Sequence, residues 1–271
     1  MTFLTDFNRV MSDLDTQKIQ AYLSDHRGAV NEIAARFGVS PDVHPADMIF
    51  RFVATHTVFP DAYQAIQYYF QDGRTSAERL RAIIRQWLPD RPQGRLLEFA
   101  SGYGCVTRHL LPLPLPGWEV TCADIHDEAV LFLQKLGAKA VPSASKPEAL
   151  RLQPFDVVFA LSFFSHMPDA TFARWLQTLY SAVLPGGLLI FTTHGHFSLP
   201  HLGNPPFNKE GYWFKAESEQ HDLPQEEYGM MAVTPSYVCD RIKALPGGPR
   251  IAVFNEGLWW NHQDLWVVQR P

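Results

Sequence analysis

The chain has 271 residues, 46% of them hydrophobic, which is enough for one large α/β domain with an attached segment or for two small domains. Its 23 basic against 28 acidic side chains give a formal net charge of −5, so nucleic acid is not the expected partner. No apolar run reaches the roughly 20 residues of a membrane span, and Cys105, Cys122 and Cys239 form no C-x-x-C pair, which fits a reducing, cytoplasmic setting.

Residues 1–15 lack a secretory signal pattern. Ile19, Tyr22, Leu23, Val30, Ile33 and Phe37 fall at helical spacing, with Gly38 as the stop. Met48, Ile49, Phe52 and Val53 predict a second helix. Asp61 predicts the cap of a third that carries Ile66, Tyr69 and Phe70 and ends at Asp72-Gly73. Residues 1–74 thus read as a helical extension, either a packed amphipathic cap or a lid over a substrate. Thr75-Ser76-Ala77-Glu78 has the form of a capping box for a new helix with Leu80, Ile83, Ile84 and Trp87.

Leu96-Leu97-Glu98-Phe99 is a short apolar strand that breaks at once into Ala100-Ser101-Gly102-Tyr103-Gly104, with a helical pattern through Val106 and Leu110 behind it. A strand, a Gly-rich turn and a helix in that order suit a nucleotide, because the backbone comes close and helix N–H groups face the ligand. The LPLPLPG run at Leu111–Gly117 is read as a loop. Trp118–Ala123 is a second strand, and Asp124 stands at its end, where a carboxylate can accept both ribose hydroxyls. Asp127 and Glu128 open a helix stopped by Gly137, and Ala138–Val141 is a third strand.

Aligned on Glu98, the stretch from Glu98 to Gly104 resembles motif I of the class I S-adenosylmethionine-dependent methyltransferases, with Ala100 where the first glycine usually stands. The resemblance runs from about Thr75 to the C-terminus. It implies an α/β, Rossmann-like seven-stranded sheet of order 3-2-1-4-5-7-6 with the last strand antiparallel, in a domain spanning 75–271. It also implies that Glu98, Ala100, Ser101, Gly102 and Gly104 hold the methionine part of S-adenosylmethionine and that Asp124 and its neighbour Ile125 hold the nucleoside. Ser143 would lie nearest the adenine, and Gly73 and Arg74 nearest the carboxylate.

Phe155–Leu161 is a buried fourth strand that ends in Ser162-Phe163-Phe164-Ser165-His166, which resembles the polar loop beside the sulfonium in that family. Asp169 predicts the cap of the next helix, and Leu184-Pro185-Gly186-Gly187 the turn into a fifth strand, Leu188–Thr193. Residues 194–233 form a long insertion rich in His and aromatic residues, including His194, His196, His201, Tyr212 and His221; they read as a wall of the substrate pocket. Thr234-Pro235 starts a helix, and Arg250–Asn255 and Asp264–Arg270 form a terminal hairpin with Trp259, Trp260 and His262 in its loop.

Methyl transfer needs a base only where the attacking atom must lose a proton. His166, His194 and His262 are the candidate bases. Phe163, Tyr212, Trp259 and Trp260 join them as the expected acceptor face. His194-Gly195-His196 with His201 lacks nearby cysteines, and no metal is expected. The expected activity is methylation of O or N on a small or medium organic acceptor, with a homo-oligomer compatible with the sequence. A nicotinamide-dependent oxidoreductase, which Thr107 in place of a third glycine disfavours, and a non-catalytic binding module are the alternatives.

Overall fold

In the computed structural model, the described residues are 16–111, 117–218, 220 and 223–271. The first fifteen residues, positions 112–116 of the LPLPLPG run and His221 lie outside them.

The helices are α1 (Thr16–Asp25), α2 (Arg27–Phe37), α3 (Met48–Thr55), α4 (Ala62–Trp87), α5 (Thr107–Leu110), α6 (Asp127–Lys135), α7 (Asp169–Ser181) and α8 (Pro235–Lys243). The strands are β1 (Gly94–Phe99), β2 (Trp118–Asp124), β3 (Lys139–Pro142), β4 (Phe155–Ala160), β5 (Val183–His194), β6 (Tyr212–Lys215), β7 (Met230–Val233), β8 (Arg250–Trp259) and β9 (Gln263–Gln269). Seven of them form one sheet in the order β3-β2-β1-β4-β5-β9-β8. Strands β1, β4 and β5 run parallel, while β9 runs antiparallel to both β5 and β8. With the two-stranded β6–β7 ribbon set aside, this is the order expected from the sequence.

The chain divides into two compact units, one of residues 94–100 and 144–271, the other of residues 16–93 and 101–143.

In the second of these units, Asp47 and Asp61 cap α3 and α4 by accepting the N–H groups of Phe50 and Gln64. The apolar faces of α1–α4 bury Ile19, Val30, Ile33, Phe50, Val53, Ile66, Tyr69 and Phe70 around Cys105. Two expectations fail here. The first helical pattern is two helices, broken at His26, with left-handed Gly38 ending the second. The helix end at Asp72-Gly73 and the capping box behind it do not exist, because α4 runs straight through both. Gly73 serves packing instead: a Cβ there would collide with the carbonyl of Cys105.

In the other unit, β4, β5 and β9 bury nearly every residue, and a cluster of Phe99, Phe163, Phe164, Phe172 and Trp175 packs beside them. The LPGG turn lies inside β5 as an irregularity: Phe155 pairs with Val183, but Val157 pairs with Leu188. Asp169 does not cap α7. It is the first helical residue, one position too late, and its carboxylate accepts from the Tyr237 hydroxyl at 2.6 Å and Arg241 at 2.7 Å, tying α7 to α8. The 194–233 insertion holds a 3-10 segment, His196–Leu202, and the β6–β7 ribbon. Gly229 and Met231 of that insertion donate N–H groups to the carbonyls of His166 and Ser165, fastening it to the loop after β4.

Candidate functional site

The Gly-rich turn is built from its own backbone and from Asp124. Ser101 donates its N–H to the Ala123 carbonyl at 3.2 Å, and Gly102 donates to Asp124 Oδ2 at 2.8 Å. Asp124 is buried; its Oδ1 accepts the His126 N–H at 3.0 Å and lies 3.0 Å from His126 Nδ1. Its carbonyl accepts from Ser143 N–H at 2.7 Å, which places Ser143 at the same strand tip. Ile125, next in the chain, is 37% exposed.

Gly102 has φ +55°, and a Cβ added to it would meet nothing. The turn therefore keeps an open, side-chain-free face beside a carboxylate, which is what a polar ligand approaching the backbone needs. Gly104 is different, since a Cβ there would press on Leu133 of α6. Tyr103, between the two, stacks on His44 with centroids 4.3 Å apart and planes at 7°.

A buried arginine holds this turn to the N-terminal helices. Arg108 donates to the Gly104 carbonyl (3.0 Å), to the carbonyls of Ser40 and Asp42 (3.1 and 2.7 Å), and to the Tyr69 hydroxyl (3.2 Å). The Tyr69 hydroxyl in turn donates a hydrogen bond to Asp47 Oδ2 at 2.6 Å. Burial pushes the Asp47 carboxyl up; the hydrogen bonds from Tyr69 and Phe50 and the Arg108 charge pull the other way. Neither His44 nor Arg108 was picked out from the sequence. The one available signal for Arg108 was a charged residue inside the otherwise uncharged run from Cys105 to Leu110.

Gly73 and Arg74 lie within α4, where Arg74 Nε pairs with Glu78 at 2.6 Å. They are helix-interior residues, and the loop expected in front of a new helix is absent.

In the other unit, Glu98 is buried near the end of β1, opposite Phe159 of β4. Ala100 follows with φ +56°. A left-handed backbone at this position favours glycine, so alanine carries strain there.

Ser162, also at positive φ (+57°), starts a buried polar network. Its N–H donates to Thr192 Oγ1 at 2.8 Å, and Thr192 donates to Gln263 Oε1 at 2.6 Å. Gln263 Nε2 reaches both Ser162 Oγ (2.9 Å) and His194 Nε2 (3.2 Å). His194 Nδ1 lies 3.1 Å from the Met231 carbonyl. Burial, then the charges of His262 and His166, hold the His194 imidazolium well below its ordinary range.

His166 Nδ1 sits 2.8 Å from the Gly229 carbonyl, and its ring stacks on Tyr228 at 4.4 Å. His262 Nδ1 sits 3.3 Å from Ser198 Oγ, and its ring lies among those of His201, His194 and Trp260. Burial first and His201 second push the His262 imidazolium down to about 4.

Three expected acceptor-facing residues are placed elsewhere. Phe163 is buried against Phe99 and Trp175 in the core. Trp259 is fully buried against Phe159, because β8 extends to it and turns its side chain to the inner face. Trp260, by contrast, is partly exposed, in a tight turn with Asn261, both at positive φ. Tyr212 stacks on Tyr237 and accepts the Asp169 N–H at 2.9 Å; burial pushes its phenol up to about 12, against the pull of that hydrogen bond. His194 and His196 do not face the same way: one is buried, the other exposed at the start of the 3-10 segment. Among the described residues, no group of three His, Cys, Asp or Glu side chains is placed to hold a metal ion. No helix among them is long and apolar enough to cross a membrane.

Residues 97–189 match the family model of a methyltransferase domain. No curated protein matches the sequence. Among solved structures, the chain is similar to an S-adenosylmethionine-dependent methyltransferase from Clostridium acetobutylicum, at 12% identity and TM-score 0.51, covering 73% of this chain and 91% of that one. It is similar to the glycopeptide N-methyltransferase MtfA at 14% identity and TM-score 0.51, covering 73% and 90%. It is also similar to the PH0226 protein of Pyrococcus horikoshii, at 15% identity and TM-score 0.54, covering 79% and 100%. At these identities the likeness to the solved structures is one of fold.

Proposed function

We propose, from the premise that this chain carries a methyltransferase domain over residues 97–189, that it transfers the methyl group of S-adenosylmethionine to O or N of a small or medium organic acceptor. The observation that carries this reading is the open face of Gly102 beside the Asp124 carboxylate, which already grips the turn at 2.8 Å. In this reading Asp124 takes the ribose hydroxyls, Ile125 and Ser143 flank the adenine, and Glu98, Ala100, Ser101, Gly102 and Gly104 take the methionine part. Ser162 stands at the sulfonium end, and Arg74, on α4 beside Gly73, takes the carboxylate once released from Glu78.

The cofactor supplies a methyl group on a positively charged sulfur that leaves readily. The protein supplies alignment and exclusion of water. His166, Trp260 and His262 form the acceptor face. The three cysteines are free, which suits a reducing, cytoplasmic setting, and nucleic acid is not the acceptor.

The test is calorimetric titration of the full chain with S-adenosylhomocysteine and with NADH and NADPH, followed by a screen of small acceptors with tritiated donor. Binding of the sulfur nucleoside alone is expected. Binding of a nicotinamide nucleotide instead would favour the oxidoreductase.

A further inference from the structure

We propose that His262 accepts the proton of an acceptor hydroxyl, with Ser198 as its positioning residue, so that the atom methylated is oxygen. This rests on the methyl-transfer reading above and narrows it.

Hydrogen-bond directions select His262. Thr192 Oγ1 already accepts from Ser162 N–H, so its proton goes to Gln263 Oε1. That fixes the amide: Gln263 Nε2 is the NH2 end, which only donates. It therefore fills the lone pair of His194 Nε2, and the His194 proton sits on Nδ1 facing the Met231 carbonyl. His194 has no lone pair to offer.

His262 differs. Ser198 Oγ donates its single proton to the His262 carbonyl at 2.6 Å, so toward Nδ1 it accepts. The His262 proton is thereby held on Nδ1 and the lone pair on Nε2. Nε2 makes no hydrogen bond among the described residues, and the side chain is only partly covered.

A neutral amine attacks with its own lone pair and needs no base, whereas a hydroxyl must lose its proton, so the open Nε2 lone pair suits oxygen. The ionisable groups packed about the ring are His194 on β5 and His201 on the 3-10 segment. The nearby carboxylate, Asp264, abuts Gly195 and is engaged with Gly257 N–H at 2.9 Å. Burial first and the His201 charge second keep the imidazole neutral, its conjugate acid at about 4. A hydroxyl oxygen becomes an oxonium, a far stronger acid than imidazolium, as its lone pair forms the new O–C bond. The S–C bond breaks with its electron pair going to sulfur, the O–H proton moves to Nε2, and the imidazolium passes it to water.

Two measurements on the full chain test this. Nitrogen-15 spectra of the histidine side chains at pH 6 are expected to show His262 neutral with its proton on Nδ1. That single tautomer should be lost in Ser198→Ala and restored in Ser198→Thr. Matched pairs of acceptors, a phenol with its aniline and an alcohol with its amine, are then offered with tritiated donor. The hydroxyl member is expected to be methylated, and His262→Asn should lower kcat by about 10²-fold or more while S-adenosylhomocysteine affinity stays unchanged. Ser198→Ala should lower kcat with the KM for the donor unchanged. Methylation of the amine members alone, an imidazolium at pH 6, or undiminished kcat in His262→Asn would each overturn the inference. Failure of S-adenosylhomocysteine to bind removes the underlying reading as well, whereas binding with a protonated His262 removes only the inference.

Discussion

Asp124 and Gly102 are joined by a 2.8 Å hydrogen bond from the Gly102 N–H to Oδ2, across 22 residues of sequence. The same carboxylate thus shapes the turn and, in the proposed function, meets the ribose. Asp124→Ala is expected to weaken S-adenosylhomocysteine binding by about 1–3 kcal/mol, through loss of charge-assisted hydrogen bonds and a looser turn. Calorimetry on the folded variant measures it, and unchanged affinity would remove the ribose assignment.

Ala100 sits at φ +56°. A left-handed conformation costs an L-residue roughly 1–2 kcal/mol, and the extra unfolded-state entropy of glycine returns about 0.5–1 of that. Ala100→Gly should therefore raise stability by about 0.5–1 kcal/mol, read as a melting temperature higher by a few degrees. Ala100→Val should lower it. A lower melting point for the glycine variant would show that the backbone at this position is not strained.

Gly73 lies inside α4, where helix propensity alone makes alanine better by about 1 kcal/mol. The Cys105 carbonyl reverses the sign, because a Cβ would overlap a backbone oxygen that cannot swing away. Gly73→Ala should destabilise by about 2 kcal/mol or more, within the range of overpacking. Chemical denaturation decides the matter, since propensity and packing predict opposite directions.

Acid should unfold the protein through its buried histidines. His109, fully buried, is pushed down to about 3 and His262 to about 4, chiefly by burial, and His194 lies well below its ordinary range. Between those values and the unfolded value of about 6.5, the unfolded chain binds more protons than the folded one, so stability is lost as pH falls. Asp264, pushed up to about 6 by burial, acts oppositely and offsets part of the loss. The urea midpoint should fall steadily from pH 7 to about 4.5, and His109→Leu should flatten the slope. A variant with the wild-type slope would show that His109 takes no part.

The sequence alone determined the strands of the main sheet and the Gly-rich turn, because those rest on local facts; their order came only with the family resemblance. Apolar runs such as Phe155–Ala160 have one way to be buried, and a turn of small residues between strand and helix has few uses. The place of Asp124 at the end of β2 was legible for the same reason, since the strand before it is a local apolar run. What tertiary structure decided was the direction and partners of side chains. Gly73 looked like a helix stop and is a packing contact, because its neighbour, Cys105, is 32 residues away. Trp259 and Trp260 are adjacent in sequence, yet one is core and the other surface, because a strand turns successive residues to opposite faces and the strand's end was hidden. The three candidate histidines were alike in sequence. They differ through Gln263 and Ser198, whose donors and acceptors come from other strands and loops, and proton placement on an imidazole follows those partners, not the neighbours along the chain.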